Sequence, residues 1–233
     1  MKKVGVLILT DWRSNCLKLL INNLKMLDID LDIFICALEK KIYFDKVKYI
    51  VHQENKFNYS KISNLALNNM SYMNYEYVLL VNDDIIPTDC DWLKNMINCM
   101  NNNNTNIVGA KLIFPNTKSI QHFGVGFKDK NILDPIHLNY KCIDKNIVDG
   151  EFKAVTFACA LIKSDCFNNY VFDEQLKTEL QDIDYCLTVG KIICCASAKL
   201  YHYESYTRKL KRCDGINIED RKYWKEKWKN YSL

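Results

Sequence analysis

The stretch YVLLVNDD at residues 77–84 decides the fold prediction, because it joins a continuous apolar run to a cluster of amide and acidic side chains. Such an apolar run is typical of a strand that is buried on both faces of a parallel sheet. The polar cluster then stands at the carboxyl end of that strand, where open α/β sheets bind their ligands. We therefore predict a strand over residues 75–81 and a candidate site directly after it.

Strands and helices alternate on both sides of this strand. Continuous apolar runs predict strands, and apolar residues spaced by three or four predict helices. The predicted elements of this first part are strands at 3–9, 31–37 and 49–52 and helices at 17–27, 60–72 and 92–100. This order implies an α/β fold with a largely parallel sheet and helices on both of its faces.

The second half of the chain has a less regular pattern. Its predicted elements are strands at 107–114, 119–125, 152–163, 192–196 and 199–203 and a short helix at 182–189. The first two of these strands are candidates for a hairpin. Residues 129–148 are polar and without periodicity, which predicts a loop. From residue 206 the chain becomes basic, and it ends in a predicted helix that is rich in Trp and Lys.

The composition excludes several classes of protein. The chain has 233 residues, of which 32 are Lys or Arg and 28 are Asp or Glu, and the net charge of +4 is too small to indicate a nucleic-acid partner. No apolar run approaches the ~18 to 20 residues that a membrane helix needs. The apolar run after the basic start ends at Thr10, too early for a secretory signal. We therefore expect a cytoplasmic protein.

The 11 cysteines are spread along the chain, mostly beside apolar residues. No Cys-x-x-Cys pair is present, which disfavours a zinc site built on thiolates. The odd count without a signal peptide also argues against a disulfide framework. We predict reduced, buried thiols that act as small hydrophobic side chains.

Familiar motifs of nucleotide binding and hydrolysis are missing from the sequence. Gly124 and Gly126 lack the third glycine and the following helix of a dinucleotide-binding loop. The Gly-Lys-Ser/Thr of phosphate-binding loops and the Gly-x-Ser-x-Gly of serine hydrolases are also absent. The candidate chemistry that remains is acidic.

Three polar clusters carry this candidate chemistry. Carboxylates at 82–84, at a strand end, can hold a hard divalent cation, although Asn and Asp also favour turns and helix caps. At 181–184, Asp182 and Asp184 cannot share one face of a helix, so at most one points into a cleft, and both could instead compensate the helix dipole. His202 follows a strand, and a lone His is more often a structural residue than a ligand.

Taken in order, these clusters resemble a known family. From Phe57 to about Ser205 the chain is similar to family 2 glycosyltransferases with the GT-A fold, and within them to the rhamnosyltransferase-like or O-antigen biosynthesis branch. The resemblance implies a Rossmann-like, mixed but mostly parallel sheet flanked by helices. The matching segments lie at residues 57–64, 77–84, 108–112, 120–125, 172–174, 182–187 and 201–205.

The resemblance also implies roles for individual residues. Asp84 would bind Mg2+ or Mn2+ as cofactor, and His202 would be a further ligand of that metal. Asp182 would be the catalytic base, and Gln121 and His122 would lie on the acceptor side. The residues that would contact the nucleotide of the donor are Thr10, Asp11, Asn64, Asn82 and Asp83.

Three positions depart from the family pattern. The Pro that usually precedes Thr10 is absent, and the second strand ends in residues 37–41 without the usual Asp-rich turn. Gln181 stands before Asp182, where an acidic residue or Asn is usual. The sequence therefore leaves the recognition of the donor base open.

The implied function is a metal-dependent, inverting glycosyltransferase that moves a sugar from a nucleoside-diphosphate sugar to a hydroxyl of a glycan, lipid-linked or protein acceptor. A divalent cation would neutralise charge on the leaving diphosphate, and a carboxylate would deprotonate the acceptor hydroxyl. Two alternatives stay open: a nucleotidyltransferase that makes sugar nucleotides, and a degenerate GT-A module that only binds carbohydrate. Residues 10–15 after the first strand contain no glycine, which disfavours the nucleotidyltransferase.

We predict one GT-A domain over residues 1–233, with a nucleotide-binding half at 1–105, an acceptor-binding half at 106–205 and a basic tail at 206–233. Within the tail, the Lys and Arg residues of 208–229 are interleaved with aromatic side chains. Such a segment can dock on an anionic membrane surface as a peripheral contact. Alternatively, it can form a helix that packs its aromatic side chains on the domain and leaves a solvated basic face.

Overall fold

Strands and helices alternate in the first half of the structure, as the apolar pattern predicts. The structure is a computed structural model that describes residues 3–54, 56–128, 131–143, 147–203 and 217–231. The strands of the first half are β1 (Val4–Leu9), β2 (Leu31–Ala37), β3 (Val47–Val51), β4 (Tyr77–Asn82) and β5 (Ile85–Pro87). Its helices are α1 (Leu17–Met26), α2 (Tyr59–Met70) and α3 (Trp92–Asn103).

The second half contributes shorter strands and three described helices. The strands are β6 (Ile107–Ile113), β7 (Ile120–His122), β8 (Val125–Phe127), β9 (Pro135–His137), β10 (Gly150–Phe152), β11 (Cys159–Lys163) and β12 (Ile192–His202). The helices are α4 (Ser164–Asn169), α5 (Gln181–Val189) and α6 (Ile218–Trp228).

One large sheet joins strands from both halves of the chain. Its order is β10-β12-β6-β11-β4-β1-β2-β3, with β5 attached to β12 and β7 attached to β6. β1 runs parallel to β2 and β4, and β12 runs parallel to β6, whereas β11 is antiparallel to both of its neighbours. The α/β fold with a mixed, mostly parallel sheet is therefore confirmed, and so is the hairpin, since β6 and β7 are antiparallel.

Several segments differ from the sequence prediction. Residues 119–125, predicted as one strand, contain β7 and the first residue of β8, and β5 and α4 were not predicted. Residues 152–163 form two strands rather than one, because the apolar residues between β10 and β11 are buried without joining the sheet. One of them, Val155, lies so close to Gly109 that a Cβ on this glycine would approach it to 2.6 Å. Residues 129–148, predicted as a loop, contain β9, which pairs with β8. The two strands predicted at 192–203 are the single strand β12, which has a bulge after Cys195.

Alternate residues of β4 face two different cores. Tyr77, Leu79 and Val81 pack with α1 and α3 on one face of the sheet. Val78 and Leu80 pack on the opposite face, with α2, α5 and α6. Because both faces are covered, the strand is apolar until the sheet ends, and the polar cluster begins at that point.

The cysteines are mostly core side chains. Ten of them are described, all are free, and eight are buried. The prediction of reduced, buried thiols is confirmed for these eight, whereas Cys90 and Cys142 are exposed.

Helix α6 fastens the last described segment to the second core. Trp224 is 1% exposed there, so the structure has the helix packing that the sequence offered for the tail. Residues 204–216 of the tail lie outside the described residues. The carboxylate of Asp220 accepts hydrogen bonds of 2.7 to 3.1 Å from three successive backbone N–H groups that precede α5. These groups belong to Lys177, Thr178 and Glu179. None of the described helices is long and apolar enough to cross a membrane.

Candidate active site

The parallel pairing of β1 with β4 brings the first candidate residues together. Leu9 pairs with Asn82, so the residues that follow the two strands meet at the same edge of the sheet. The Thr10 hydroxyl donates to Asp83 Oδ2 at 2.5 Å, and the Ser14 hydroxyl donates to the Asp83 carbonyl at 2.7 Å. Two predicted nucleotide-binding residues, Thr10 and Asp83, therefore lie in direct contact.

Burial is the main cause of an altered pKa at Asp83. It raises the pKa of this carboxyl to about 7, and the charges on Asp84 and Asp11 act in the same direction. The hydrogen bond from Thr10 acts in the opposite direction. A carboxyl group with this pKa gains from any cation or hydrogen-bond acceptor placed beside it. The carboxyl end of β4 is thus suited to a ligand that brings positive charge or that accepts a hydrogen bond from Asp83.

Asp84 and His202 meet because the chain turns back after β4. The short strand β5 follows Asp84 at once and pairs antiparallel with the end of β12, with Ile85 opposite His202. His202 Nε2 then lies 3.3 Å from Asp84 Oδ1. The backbone N–H of Tyr203 donates to the Asp84 carbonyl at 3.0 Å and fixes the turn. Both residues predicted as metal ligands are therefore neighbours.

The hydrogen bond on the other side of the imidazole sets its tautomer. His202 Nδ1 lies 2.7 Å from Gln121 Oε1, and Gln121 Nε2 lies 3.5 Å from the His202 carbonyl, which fixes the orientation of the amide. An amide oxygen can only accept, so Nδ1 carries the proton of the neutral ring and Nε2 presents a lone pair. Gln121, predicted on the acceptor side, thus contacts the predicted metal ligand.

These residues fit a divalent cation. Asp84 Oδ1 is buried and has no hydrogen-bond donor among the described residues. It lies 3.3 Å from His202 Nε2, which presents a lone pair when the ring is neutral and an N–H when the ring is protonated. A cation that binds both atoms would take the place of that proton. One carboxylate and one imidazole suit Mn2+ and allow Mg2+, with further positions left to water and phosphate oxygens.

One wall of the site is formed by His122 and the residues that contact it. The His122 side chain is 2% exposed. Its Nε2 accepts hydrogen bonds from the backbone N–H of Thr156 at 3.1 Å and of Gly124 at 3.3 Å, and its Nδ1 lies 2.9 Å from His137 Nδ1. Burial, followed by the charges on His137 and His202, lowers the pKa of His122 well below its usual value. His122 is therefore a neutral side chain that organises this wall.

Two residues of this wall were not among the sequence candidates. His137 lies on β9, in a segment without periodicity, and only the pairing of β8 with β9 brings it to His122. Thr156 lies in the apolar stretch between β10 and β11 and carried no signal of its own. Gly124 has φ +88°, and a Cβ there would approach Phe152 to 2.3 Å, so only glycine fits this turn.

Asp182 lies near the start of α5, against the same wall. The helix begins after Leu180, whose φ of +67° is uncommon for a side chain of this size. Asp182 Oδ2 accepts a hydrogen bond from the backbone N–H of Phe157 at 3.3 Å. Burial raises the pKa of Asp182, against hydrogen bonds from Ile183 and from the Thr156 side chain. The predicted base is thus a held carboxylate with increased proton affinity.

Asp184 points the other way, as the two-residue spacing predicts. It is 4% exposed, and its Oδ1 accepts a hydrogen bond of 2.9 Å from Trp228 Nε1 and lies 2.8 Å from Lys227 Nζ. Both partners belong to α6. Of the two acids, only Asp182 is directed toward the wall built on His122 and Thr156.

The other three predicted nucleotide-binding residues are held by protein contacts of their own. The Asn64 side chain bonds both backbone groups of Phe172 at 2.9 Å and so ties α2 to the segment before α5. Asp11 accepts a hydrogen bond of 2.8 Å from Arg13 Nε. Asn82 ends β4, and its backbone N–H donates to the Ala158 carbonyl at 2.9 Å. Asn82 directly precedes the Asp83–Asp84 turn, and Asp11 is near enough for its charge to raise the pKa of Asp83.

The sequence comparisons find two partial relatives. No protein-family model matches the chain. The chain is 30% identical over 205 residues to the uncharacterized protein y4gI of Sinorhizobium fredii (strain NBRC 101917 / NGR234). The matched region covers 81% of this chain and 22% of that protein. The chain is also 28% identical over 185 residues to the O-antigen biosynthesis protein RfbC of Myxococcus xanthus. This matched region covers 73% of the chain and 14% of RfbC. The chain thus spans less than a quarter of the length of either relative.

Solved structures share the architecture at low identity. S. aureus TarS 1-349 in complex with UDP-GlcNAc has a TM-score of 0.55 at 17% identity, over 85% of this chain and 58% of that one. Mannosyltransferase PcManGT from Pyrobaculum calidifontis, with GDP-Man and Mn2+, has a TM-score of 0.59 at 11% identity, over 90% and 60%. GalNAc-T7 with UDP, GalNAc and Mn2+ has a TM-score of 0.63 at 8% identity, over 87% and 44%. At these identities the likeness is one of fold, and it confirms the fold that the motifs implied.

Proposed function

We propose that this chain, which has the fold of the GT-A glycosyltransferases, transfers a sugar from a nucleoside-diphosphate sugar to a hydroxyl group. The observation that carries the proposal is the facing pair of Asp84 Oδ1 and His202 Nε2, 3.3 Å apart at the carboxyl end of β4. PcManGT contains GDP-Man and Mn2+, and GalNAc-T7 contains UDP and Mn2+. These contents support a nucleotide sugar and a divalent cation as ligands of this chain.

Asp84 and His202 would hold the cation, Mn2+ or Mg2+. When bound, such a cation neutralises the negative charge that grows on the diphosphate as the sugar leaves. The contribution of the chain is to fix both ligands in advance. Gln121 orients the imidazole through Nδ1, and the Tyr203 N–H holds the turn that carries Asp84. Preset ligands need no rearrangement when the charge develops.

The nucleotide is proposed to bind at the ends of β1 and β4. Thr10, Asn82 and Asp83 stand there beside the proposed metal ligands, and Asp83 is held by the hydroxyls of Thr10 and Ser14. Asp11 and Asn64 were expected in the same role. Their polar atoms already bond Arg13 and Phe172, so nucleotide binding by these two residues would compete with protein contacts.

Asp182 is proposed as the general base of a single displacement. The acceptor hydroxyl attacks the anomeric carbon, the bond to the diphosphate breaks, and Asp182 takes the hydroxyl proton, so that the anomeric configuration inverts. A base is most effective when its pKa lies near the operating pH, and the raised pKa of Asp182 is a change in that direction. The Phe157 N–H keeps the carboxylate in place.

The acceptor is proposed to be a glycan or its lipid-linked precursor, with a protein hydroxyl as the remaining class. The name of the relative RfbC, an O-antigen biosynthesis protein, supports a role in polysaccharide biosynthesis. Because this chain covers 14% of RfbC, the support concerns the chemistry of one segment of that protein.

A donor screen tests the proposed function. Purified protein is incubated with a panel of UDP-, GDP- and dTDP-sugars in Mn2+ or Mg2+, and release of nucleoside diphosphate is measured together with glycoside formation. We expect both products with at least one donor and neither in EDTA. Formation of sugar nucleotide and pyrophosphate from nucleoside triphosphate would identify a nucleotidyltransferase. Sugar binding without any turnover would identify a carbohydrate-binding module.

A further inference from the structure

A second convergence of ligand atoms lies apart from the residues of the proposed transfer reaction. The thiols of Cys99 and Cys195 and the carboxylate of Asp149 all lie within 4.8 Å of one another. Cys99 stands near the end of α3, Cys195 lies in β12 just before its bulge, and Asp149 immediately precedes β10. Three parts of the chain that are far apart in sequence therefore each supply one side chain of a type that binds metals.

The pairing of β10 with β12 places and orients the carboxylate. β10 is antiparallel to the first residues of β12, so the residue before β10 falls beside Cys195. The backbone N–H of Ala196 donates to Asp149 Oδ1 at 2.7 Å. The other oxygen, Oδ2, is then directed toward Cys99, 3.5 Å from its sulfur. The carboxylate is thus oriented before any ligand binds.

The packing of α3 on β12 supplies the second thiol. Cys195 Sγ lies 3.7 Å from the carbonyl oxygen of Asn95, which stands one helical turn before Cys99. Both thiols are buried, whereas Asp149 is exposed beside an open cleft that Ser197 also lines. The cluster therefore reaches from the core to solvent, which gives an ion access to it.

The separation of Cys99 and Asp149 matches that of two ligands in a tetrahedral site, and all three groups lie close enough to share one ion. Zinc binds thiolate sulfur at ~2.3 Å and carboxylate oxygen at ~2.0 to 2.2 Å, so these ligands stand about 3.5 Å apart at tetrahedral angles. The separation of Cys99 Sγ and Asp149 Oδ2 is 3.5 Å. Thiolate ligands select soft cations, whereas Mg2+ and Ca2+ prefer oxygen alone.

The electrostatics of the cluster favour a cation as well. The interaction between the two neighbouring thiols raises the pKa of Cys99 and lowers that of Cys195, and the charge of Asp149 acts against the ionisation of either. Without a cation, full ionisation would place three negative charges within a few ångströms. A bound divalent cation offsets that repulsion.

We propose that Cys99, Asp149 and Cys195 bind a thiophilic divalent cation, with zinc as the closest chemical match, and that this cation joins α3 to β12. Binding forms two metal–sulfur bonds and one metal–oxygen bond and releases the remaining thiol protons to solvent. The fourth position of the tetrahedron is left to water on the exposed side. The site shares no residue with the proposed transferase centre, so either assignment can fail without the other.

Titration of the reduced, metal-free protein with Co2+ tests the proposal. Thiolates bound to Co2+ give a charge-transfer absorption in the near ultraviolet that carboxylate and imidazole ligands do not give. We expect one equivalent of Co2+ to produce this absorption and Zn2+ to abolish it by displacement. Co2+ held by Asp84 and His202 would add nothing to the signal, so the readout is independent of sugar transfer.

Variants identify the ligands. Cys99→Ser and Cys195→Ser should each abolish the two-thiolate absorption, and Asp149→Asn should weaken Co2+ binding at least ~10-fold. Asp149 is exposed, and Asn keeps an oxygen for the Ala196 N–H, so this variant is expected to fold even if the buried serines disturb the core. Cys166→Ser replaces a buried thiol of α4 outside the cluster and is the matched control.

Three outcomes would overturn the proposal. The first is wild-type protein that has free thiols and yet shows no thiolate–cobalt absorption. The second is unchanged Co2+ affinity in Asp149→Asn together with retained absorption in both serine variants. The third is a Cys99–Cys195 disulfide in the protein as purified and no Co2+ binding after its reduction, which would identify a redox pair instead.

Discussion

His202 Nε2 lies 3.3 Å from Asp84 Oδ1, and both side chains are largely buried, at 11% and 15% exposure. The contact depends on β5, which returns along the end of β12 directly after the Asp84 turn. A carboxylate oxygen and a neutral imidazole nitrogen that face each other away from water are costly unless a proton or a metal ion lies between them. A bound divalent cation would satisfy both atoms.

We expect Asp84→Asn to abolish Mn2+-dependent binding of the nucleotide sugar without lowering the free energy of unfolding of the metal-free protein. The variant loses the carboxylate ligand, and it also loses the charge on a buried oxygen that has no donor among the described residues. Calorimetry with the donor in Mn2+ and chemical denaturation in EDTA check the two parts. Asp45→Asn, at an exposed acid, is the control. Unchanged donor affinity in Asp84→Asn would remove this residue from the site.

Gln121→Ala should weaken Mn2+ binding by roughly 10- to 100-fold although both proposed ligands remain. Without the acceptor at Nδ1, the His202 ring is free to rotate and to place its proton on Nε2. Gln121→Glu keeps an acceptor and should retain most of the affinity. Electron paramagnetic resonance of free Mn2+ measures binding directly, with Gln53→Ala, at an exposed position, as the control. Equal Mn2+ affinity in Gln121→Ala and wild type would show that the amide does not position the ligand.

Asp182→Asn should lower turnover by roughly 10²- to 10⁴-fold with little change in donor binding, since the amide cannot take up the hydroxyl proton. Asn keeps one of the two oxygens that accept from the Phe157 and Ile183 N–H groups, so the loss in stability should be about 1 kcal/mol. Steady-state kinetics with an identified acceptor, together with donor calorimetry, measures both quantities. Near-normal transfer by Asp182→Asn would move the base elsewhere.

Asp184→Asn should give the opposite pattern, which makes it the matched partner of Asp182→Asn. This carboxylate contacts Lys227 and Trp228 in a buried position, and the variant weakens the pairing of α5 with α6. We expect a loss of about 1 to 3 kcal/mol in the free energy of unfolding, with turnover per folded molecule nearly unchanged. Urea denaturation and kinetics on the folded fraction separate the two effects. A large loss of turnover at full stability would contradict the assignment of roles to these two acids.

The stability of the protein should fall as the pH drops below ~6.5, in part because of His122. The pKa of His122 is lowered in the folded state, so the unfolded chain takes up a proton below its own pKa while the folded chain does not. The contribution of His122 to the free energy of unfolding is complete above pH ~6.5. It is lost by up to about 1.4 kcal/mol per pH unit as the pH falls below that value. His122→Gln keeps an acceptor for the Thr156 N–H and should flatten this slope between pH 7.5 and 5.5 in urea denaturation. An identical slope in both proteins would contradict the lowered pKa.

The sequence pattern was sufficient to predict two features that each depend on a single strand or helix. The apolar run before Asn82 predicted both β4 and the place of the acidic cluster at its carboxyl end. The two-residue spacing of Asp182 and Asp184 predicted that they face different sides, and Asp184 indeed contacts α6. Both inferences need only the period of a strand or a helix.

Contacts between distant strands could not be predicted in this way. Gln121 reaches His202 only because β7 pairs with β6 and β6 lies beside β12. His137 lies in a segment predicted as a loop. Its strand β9 pairs with β8 over only three residues, which is too short to give a recognisable alternation in the sequence. Cys99 and Cys195 each had the pattern of a small core residue, and only the packing of α3 on β12 makes them neighbours.

The carboxylate of Asp220 has a practical consequence for the choice of expression fragments. The motif resemblance stops near residue 205, and a boundary drawn there would remove α6. The N–H groups of residues 177–179 would lose their acceptor, and Asp184, which lies on the same helix as Asp182, would lose its partner Lys227. Each buried polar group left without a partner costs roughly 1 to 3 kcal/mol, against a typical total stability of about 5 to 15 kcal/mol. Recombinant fragments that are meant to keep the base in position should therefore extend at least through Trp228.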